Sequence, residues 1–243
     1  MSTFPPQFNQ QNYKAQQQTY QTGGVSVVSQ IMKGVYLRMT GGLLVTAFVA
    51  LYCASSMGFW TFLAQHSWVM WVLMFGELGL VIGISGGINR MKSSTATMLF
   101  YLFAIVNGLM LSSIFVVYSI TAIVKAFFIT AGTFGAMSVY GYCTNRDLSR
   151  MGSILFMALL GLIIASVVNI FLHSSGLDWI ISIVGVLLFV GLTAWDTQQI
   201  KNMAMQMPGA SAGKLATLGA LSLYLDFINL FLYILRIFGG NRN

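Results

Sequence analysis

The sequence has little charge, and acidic residues are the scarcest. Of 243 residues, 7% are charged and only five are Asp or Glu, while 57% are hydrophobic and the mean hydropathy is +0.79. An ordinary soluble domain has about 25% charged residues. The composition therefore excludes a soluble globular protein and predicts a polytopic membrane protein embedded in a lipid bilayer.

Cysteines and cofactor motifs are also scarce. Cys53 and Cys143 lie in or beside apolar segments, so they indicate neither a disulfide framework nor a metal site. The sequence has no Gly-rich phosphate loop. The last apolar segment has no lysine at mid-depth for a Schiff base, which excludes a retinal protein. We therefore predict no cofactor.

A polar tail precedes seven apolar segments. Residues 1–30 are rich in Gln, Asn, Ser and Thr, cannot bury a core and are predicted to be disordered. Each apolar segment reaches the roughly 20 residues that span a bilayer. They lie near residues 39–60, 68–88, 96–118, 121–142, 151–172, 179–198 and 215–238. The pattern predicts an all-α protein with a seven-helix transmembrane domain over residues 31–243.

Basic residues predict the orientation. Loops on one side, together with the N-terminal region, hold nine Lys and Arg residues, whereas the opposite loops hold only Lys125. The nine are Lys14, Lys33, Arg38, Arg90, Lys92, Arg146, Arg150, Lys201 and Lys214. The positive-inside rule places this side and the N-terminus in the cytoplasm. The rule also explains the net charge of +7 without a nucleic-acid partner. Arg236 lies on the opposite side, where the same rule disfavours basic residues.

A glycine repeat marks the second segment. Gly79, Gly83 and Gly87 recur at four-residue spacing. Such a small-xxx-small face lets a neighbouring helix approach closely, so we expect a tight helix contact there.

Three acids lie inside predicted spans. Asp147 and Asp178 fall in loops, but Glu77, Asp196 and Asp226 do not. A charge at the bilayer centre costs roughly 3 kcal/mol on insertion scales, so such a group faces protein or water. These three acids are therefore the main candidates for function.

Asp226 belongs to a polar stripe on the last segment. The stripe follows spacings of four, three, four and three, which place its members on one helix face. Its members are Ser222, Asp226, Asn229, Tyr233 and Arg236. We expect this face to meet other helices while Leu, Ile and Phe cover the remaining faces.

We predict that Asp196 is the partner of Asp226. Asp226 lies twelve residues after Lys214, about 18 Å along a helix, and Asp196 lies five residues before Lys201. Two carboxyl groups in a low-dielectric site share a proton and titrate as a pair. Deprotonated, the pair is suited to calcium, with Asn229 or water completing the shell. The alternative is that each Asp bonds a basic residue or a backbone donor.

Two further residues are candidates for a gate and a latch. Glu77 would gate a pore or pair with a buried polar group. Arg90, at the cytoplasmic end of the same segment, would latch onto an aspartate of the pair or serve as an ordinary positive-inside residue.

An enzyme is the least favoured interpretation. Two aspartates on adjacent spans also describe intramembrane aspartyl proteases. That class carries Gly-x-Gly-Asp, whereas Leu223, Tyr224 and Leu225 precede Asp226. Its proline-bearing motif is missing as well, because the prolines are confined to positions 5, 6 and 208. Two carboxylates without supporting geometry are a weak signature, and we predict no enzymatic activity.

The motifs AWDTQQI (194–200) and ALSLYLDFINLFLYILRIFG (220–239) resemble those of the Bax inhibitor-1, or transmembrane Bax inhibitor motif, family. The likeness runs from about residue 31 to the end. It implies a seven-helix fold with the last helix at the centre, and a pH-sensitive calcium leak governed by a di-aspartyl sensor that matches Asp196 and Asp226. Arg90 and Glu77 are the nearest matches to the family's second-helix arginine and acid.

Two functions remain open on this resemblance. One is a proton-regulated calcium leak in a bacterial inner membrane. The other is a non-conducting regulator that binds a membrane protease or acts in a stress or cell-death pathway, with a purely structural polar stripe.

Overall fold

The computed structural model describes residues 6–206 and 212–239, with side chains from residue 27 onward in these ranges. Helices account for nearly all of this part of the chain, and it contains no strand. The helices are α1 Pro6–Ala54, α2 Met57–Gln65, α3 Trp68–Gly87, α4 Ser93–Leu111, α5 Ile114–Val117, α6 Ile120–Cys143, α7 Ser149–Leu172, α8 Ser175–Gln206 and α9 Ala212–Phe238.

Seven helical segments are long and apolar enough to cross a membrane, which confirms the predicted all-α transmembrane fold. They are Val27–Ala54, Trp68–Gly87, Ser93–Val117, Ile120–Cys143, Ser149–Leu172, Ser175–Gln206 and Ala212–Phe238. The last six coincide with predicted segments, although the sixth continues beyond its predicted end. The last segment has 27 residues, about 40 Å of helix, which is enough for a full span.

The first span differs from the prediction of 39–60. The apolar part of α1 reaches back at least to Val27, since Val28, Ile31, Met32, Val35 and Met39 are buried at helical spacing. It ends at Ala54, and a new helix follows that is capped by Ser56, whose side chain accepts a hydrogen bond from the Phe59 amide.

Two consequences follow for the N-terminal region. Lys33 and Arg38 lie inside the first spanning helix rather than before it. Helix α1 begins at Pro6, within the tail 1–30 for which disorder is predicted. Because the side chains of residues 1–26 lie outside the described part, the tail and its boundary stay predictions.

Helix α9 lies at the centre of the bundle. It packs against α1, α4, α6 and α8, whereas α3 and α7 lie at the periphery, mainly against α4 and α8 respectively. More than half of its residues are buried, among them Leu223, Tyr224 and Leu235 with no exposed surface. The predicted central position of the last helix is confirmed.

Glycines allow the closest helix contacts around α8. A Cβ atom on Gly141 of α6 would collide with the Ala194 carbonyl of α8, and one on Gly152 of α7 would lie 2.5 Å from Trp195 Cε2. These two contacts fix α6 and α7 onto the half of α8 that also carries Asp196. They are the tight contacts that small residues permit between membrane helices.

The predicted contact at the glycine repeat of α3 is wrong for two of its three positions. A Cβ atom on Gly79 or Gly83 would meet no atom within 4 Å, and one on Gly87 would meet only the flexible Met91 side chain. Helix α3 turns this face outward because its packing is provided by α4 on another side.

Candidate functional site: an aspartate pair beside the central helix

Asp196 of α8 and Asp226 of α9 face each other across the interface of these two helices. Their carboxyl groups lie within hydrogen-bonding reach, so a single proton can bridge them. Asp226 is 4% exposed, while Asp196 is half-buried. The α8–α9 contact is the most extensive in the bundle, and the short connection between these antiparallel helices brings the two acids to the same depth.

The pair opens onto a cavity of about 550 Å³ between α7, α8 and α9. Ser222, Asp226, Asn229 and Tyr233 of the predicted polar stripe all line it. The cavity exists because α7 packs on α8 but makes little contact with α9. Its other walls are mostly apolar side chains of α7, so the polar surface is concentrated on α9 and at Asp196.

The aspartates receive no hydrogen bond from the other residues that the structure describes. The Oδ2 atom of Asp226 is buried and accepts no hydrogen bond from any described residue. No Lys, Arg or His lines the cavity in the described part of the chain. The Asn229 amide is directed elsewhere and donates to the Leu225 carbonyl at 2.8 Å. The alternative that each Asp bonds a basic residue therefore finds no partner among the described side chains.

Arg236, the last member of the stripe, lies at the far end of the same groove. Its Nη1 atom is 3.2 Å from Oδ1 of Asp178, and both side chains are about two-fifths exposed. A second cavity of about 500 Å³ surrounds this ion pair and shares Ser166 and Ile170 with the first. The groove thus runs from the aspartate pair towards the side predicted to be extracytoplasmic.

The ion pair also explains two sequence observations. The positive-inside rule disfavours Arg236 at this end, but Asp178 in the first turn of α8 compensates its charge. Asp178 therefore has a specific partner rather than being an ordinary solvated loop residue. The pairing was not predicted from the sequence, although one unmatched arginine and one acid on the same side were a usable signal.

Glu77 is brought into a separate polar network on another side of α9. It is hydrogen-bonded to the amide of Asn107, whose Oδ1 accepts from the Tyr224 hydroxyl at 3.0 Å. The Tyr224 hydroxyl also lies 2.6 Å from Oγ1 of Thr46. This network, Glu77–Asn107–Tyr224–Thr46, joins α3, α4, α9 and α1.

The network favours the pairing interpretation of Glu77 over a free gate, although its role stays a prediction. Tyr224 and Thr46 were not singled out from the sequence. The usable signal was a tyrosine within an otherwise aliphatic run, since a buried Tyr hydroxyl usually finds a partner.

Arg90 does not meet the aspartate pair. It is exposed in the turn after α3, and the ion pair within the described residues is that of Arg236 with Asp178. A latch onto Asp196 or Asp226 would require α3 to move, because α3 packs mainly on α4. The latch stays a prediction.

The donor set of the cavity suits a weakly held hard cation. Calcium takes six to eight oxygen ligands. Asp196 and Asp226 offer four carboxylate oxygens, and Ser222 and Asn229 line the same space. The described residues contain no cluster of three or more His, Cys, Asp or Glu, so water would have to complete the shell. This is the chemistry of a transient ion contact rather than of a resident metal site.

The chain is similar to proteins of several bacteria. The family described as "Inhibitor of apoptosis-promoting Bax1" matches residues 28–243. An Escherichia coli K12 protein named "Inner membrane protein YbhL" is 50% identical over 214 residues, 87% of this chain and 92% of that protein. A Borreliella burgdorferi protein is 44% identical over 221 residues, 90% and 95% of the two chains. With its seven apolar helices, the chain is a multi-pass protein of the bacterial inner membrane and belongs to the Bax inhibitor-1 family.

Proposed function

We propose that this protein is a proton-regulated cation leak with calcium as its chief cargo. The observation that carries the proposal is the contact between Asp196 and Asp226 in a cavity where the described residues offer them no basic partner. A charge inside a membrane protein needs compensation, and here only a proton or a cation would supply it.

The other three acids each have a partner, which supports this choice. Glu77 bonds Asn107, Asp178 pairs with Arg236, and Asp147 accepts a hydrogen bond from the Ser149 amide. The two remaining acids face each other and meet no basic side chain among the described residues. A structural role would be served by a donor, whereas two facing carboxyl groups respond to pH and to hard cations.

The mechanism has two states. With one shared proton, the pair holds α8 and α9 together and α9 fills the bundle. When the second carboxyl group ionises, repulsion between like charges favours separation of the helices and at the same time creates a cation ligand. The cavity along α7 then serves as the water path, and the acids select cations over anions.

The test is calcium flux into liposomes that contain the purified full-length chain, measured between about pH 6 and pH 8, because coupled carboxyl groups titrate as a pair. We expect a pH-dependent flux that Asp226→Asn and Asp196→Asn each flatten, because a single carboxyl group no longer titrates as a pair. Asp147→Asn is the matched control. Hydrogen bonds with the side chain and backbone of Ser149 hold the pKa of Asp147 below its ordinary value, so this acid stays ionised throughout that range.

Two results would count against the proposal. Unchanged pH dependence in both Asn variants would remove the aspartate pair as the sensor. No flux at any pH from folded protein would favour the alternative, a non-conducting regulator of a membrane protease or of a stress pathway.

A further inference from the structure

Helices α1 and α6 leave a long seam between them. Both pack on α9, but they make few or no direct contacts with each other. A cavity of about 850 Å³ follows the seam between residues 29–40 of α1 and 134–143 of α6. A second cavity of about 480 Å³ continues it between Leu43–Leu51 and Ile120–Phe128, above Phe227, Ile228 and Phe231 of α9.

The seam is apolar and opens on the side of the bundle. Met32, Leu37, Phe134 and Val139 are among the residues that line the first cavity. Water there would face apolar side chains, and an empty space would forfeit their dispersion contacts. In a bilayer, hydrocarbon is the available filling that avoids both costs.

The length of the first cavity matches one leaflet. From Ser29 to Thr40 the helix rises about 16 Å, roughly half of the 30 Å hydrocarbon core. A lipid acyl chain entering from one side of the membrane fits this length. A transmembrane helix of a partner would instead need the whole seam.

The end of the cavity that is predicted to be cytoplasmic is basic. Lys33 lines it, inside the first span, and Tyr142 lines it from α6. Nζ of Lys201 donates to the Tyr142 carbonyl at 2.7 Å and lies 5.0 Å from the centre of the Tyr142 ring. An ammonium group has three donors, so Lys201 keeps two for another acceptor. Within the described residues, no acid lines this cavity or pairs with Lys33.

We propose that the α1–α6 seam is a binding site for an anionic phospholipid. The acyl chain lies along α1 and α6, and the phosphate lies at Lys33 and Lys201. Basic pockets between membrane helices on the cytoplasmic side are suited to such headgroups. The site is separate from the aspartate cavity, which lies between α7, α8 and α9.

The test is native mass spectrometry of the delipidated full-length protein, titrated with phosphatidylglycerol or with phosphatidylcholine of the same chains. Gly135 lines the seam, and an added Cβ there meets nothing within 4 Å, so Gly135→Leu places a side chain in the path of the acyl chain without a clash at its Cβ atom. Gly161→Leu is its control, since Gly161 is equally open but belongs to α7, which lines neither cavity of the seam. Lys33→Gln tests the headgroup, with Lys92→Gln as the control on the same predicted side.

We expect phosphatidylglycerol to bind in preference to phosphatidylcholine. Lys33→Gln should lower the affinity about fivefold, the scale of one basic residue near an anionic lipid, and Gly135→Leu should abolish the bound lipid. Both controls should behave as the parent protein. Equal binding of the two lipids, or variants that match their controls, would overturn the proposal. A dimer would also overturn it, if a second copy of the chain occupies the seam and dissociates in the Gly135→Leu variant.

Discussion

The substitution Tyr224→Phe isolates the polar network beside the central helix. The phenyl ring that remains keeps its edge-on contacts with Phe100 and Phe103, at ring distances of 5.8 and 5.3 Å. Only the hydroxyl group is lost, and with it the contacts to Asn107 and Thr46. The change therefore measures the network without opening a cavity.

The hydroxyl groups of Thr46 and Tyr224 have fewer protons than contacts. Two hydroxyl protons serve three contacts, because Oγ1 of Thr46 also lies 2.8 Å from the Ala104 carbonyl. Thr46 donates to the Ala104 carbonyl, Tyr224 donates to Asn107, and the 2.6 Å contact between the two hydroxyl groups shares one of these two protons. Without the Tyr224 hydroxyl, Thr46 keeps its bond to Ala104, and Oδ1 of Asn107 loses its donor.

The expected cost is about 1 to 2 kcal/mol. Hydrogen bonds between membrane helices average about 0.6 kcal/mol and reach about 1.7. Tyr224→Phe loses two such contacts, and one of these losses leaves the buried Oδ1 of Asn107 without a donor. The loss of unfolding free energy should therefore lie in the upper half of that range. Tyr224→Ala, which also removes the ring, should cost about 3 to 5 kcal/mol.

The free energy of unfolding in mixed micelles provides the measurement. Tyr101→Phe is the control, because Tyr101 is a half-buried tyrosine on α4 whose hydroxyl bonds no described residue. A double-mutant cycle of Tyr224→Phe with Thr46→Val should give a coupling of about 0.5 kcal/mol or more. If Tyr224→Phe costs no more than its control and the cycle shows no coupling, the network does not contribute to stability. The pH dependence of calcium flux should be unchanged, because the network lies apart from the aspartate pair.

Two further predictions concern packing and orientation. Gly141→Ala should destabilise the protein by about 1 to 3 kcal/mol, since the new methyl group collides with the Ala194 backbone. Gly132→Ala, which meets no neighbour, should be neutral or stabilising in the same thermal unfolding assay. Cys143 is exposed and Cys53 is buried. A membrane-impermeant maleimide should therefore leave the protein unlabelled in intact cells. Once the inner membrane is opened, it should label Cys143 alone. Labelling of Cys143 from the outside would reverse the predicted orientation.

Much of the architecture was readable from the sequence because hydrophobic length is a strong signal. Six of the seven spans follow directly from runs of about 20 apolar residues. The first did not, because residues 27–38 mix polar and apolar side chains. Their buried positions, from Val28 to Met39, recur at helical spacing and show that these residues belong to the packed part of α1. A hydropathy average hides such an amphipathic start.

The aspartate site was also largely readable, since acids in a span are rare and costly. The spacing from Ser222 to Tyr233 predicted a polar face, and these residues do line one cavity. Partners across helices were harder to predict, because they depend on how helices rotate about their axes. The bonds of Glu77 to Asn107 and of Asp178 to Arg236 are of this kind. The glycine repeat of α3 failed for the same reason, since spacing does not reveal which face is covered.

Helix α9 separates two polar sites with opposite chemistry. Tyr224 and Asp226 are two residues apart, so they point to different sides of the helix. On the Tyr224 side hydroxyl and amide groups supply donors to the acceptors of Asn107 and Glu77, which suits a permanent joint between α9 and the helices α1, α3 and α4. On the Asp226 side two acceptors face each other, and a proton or a cation has to complete the contact. The proton content of the aspartate pair can therefore change while the hydrogen bonds that hold the other half of the bundle remain intact.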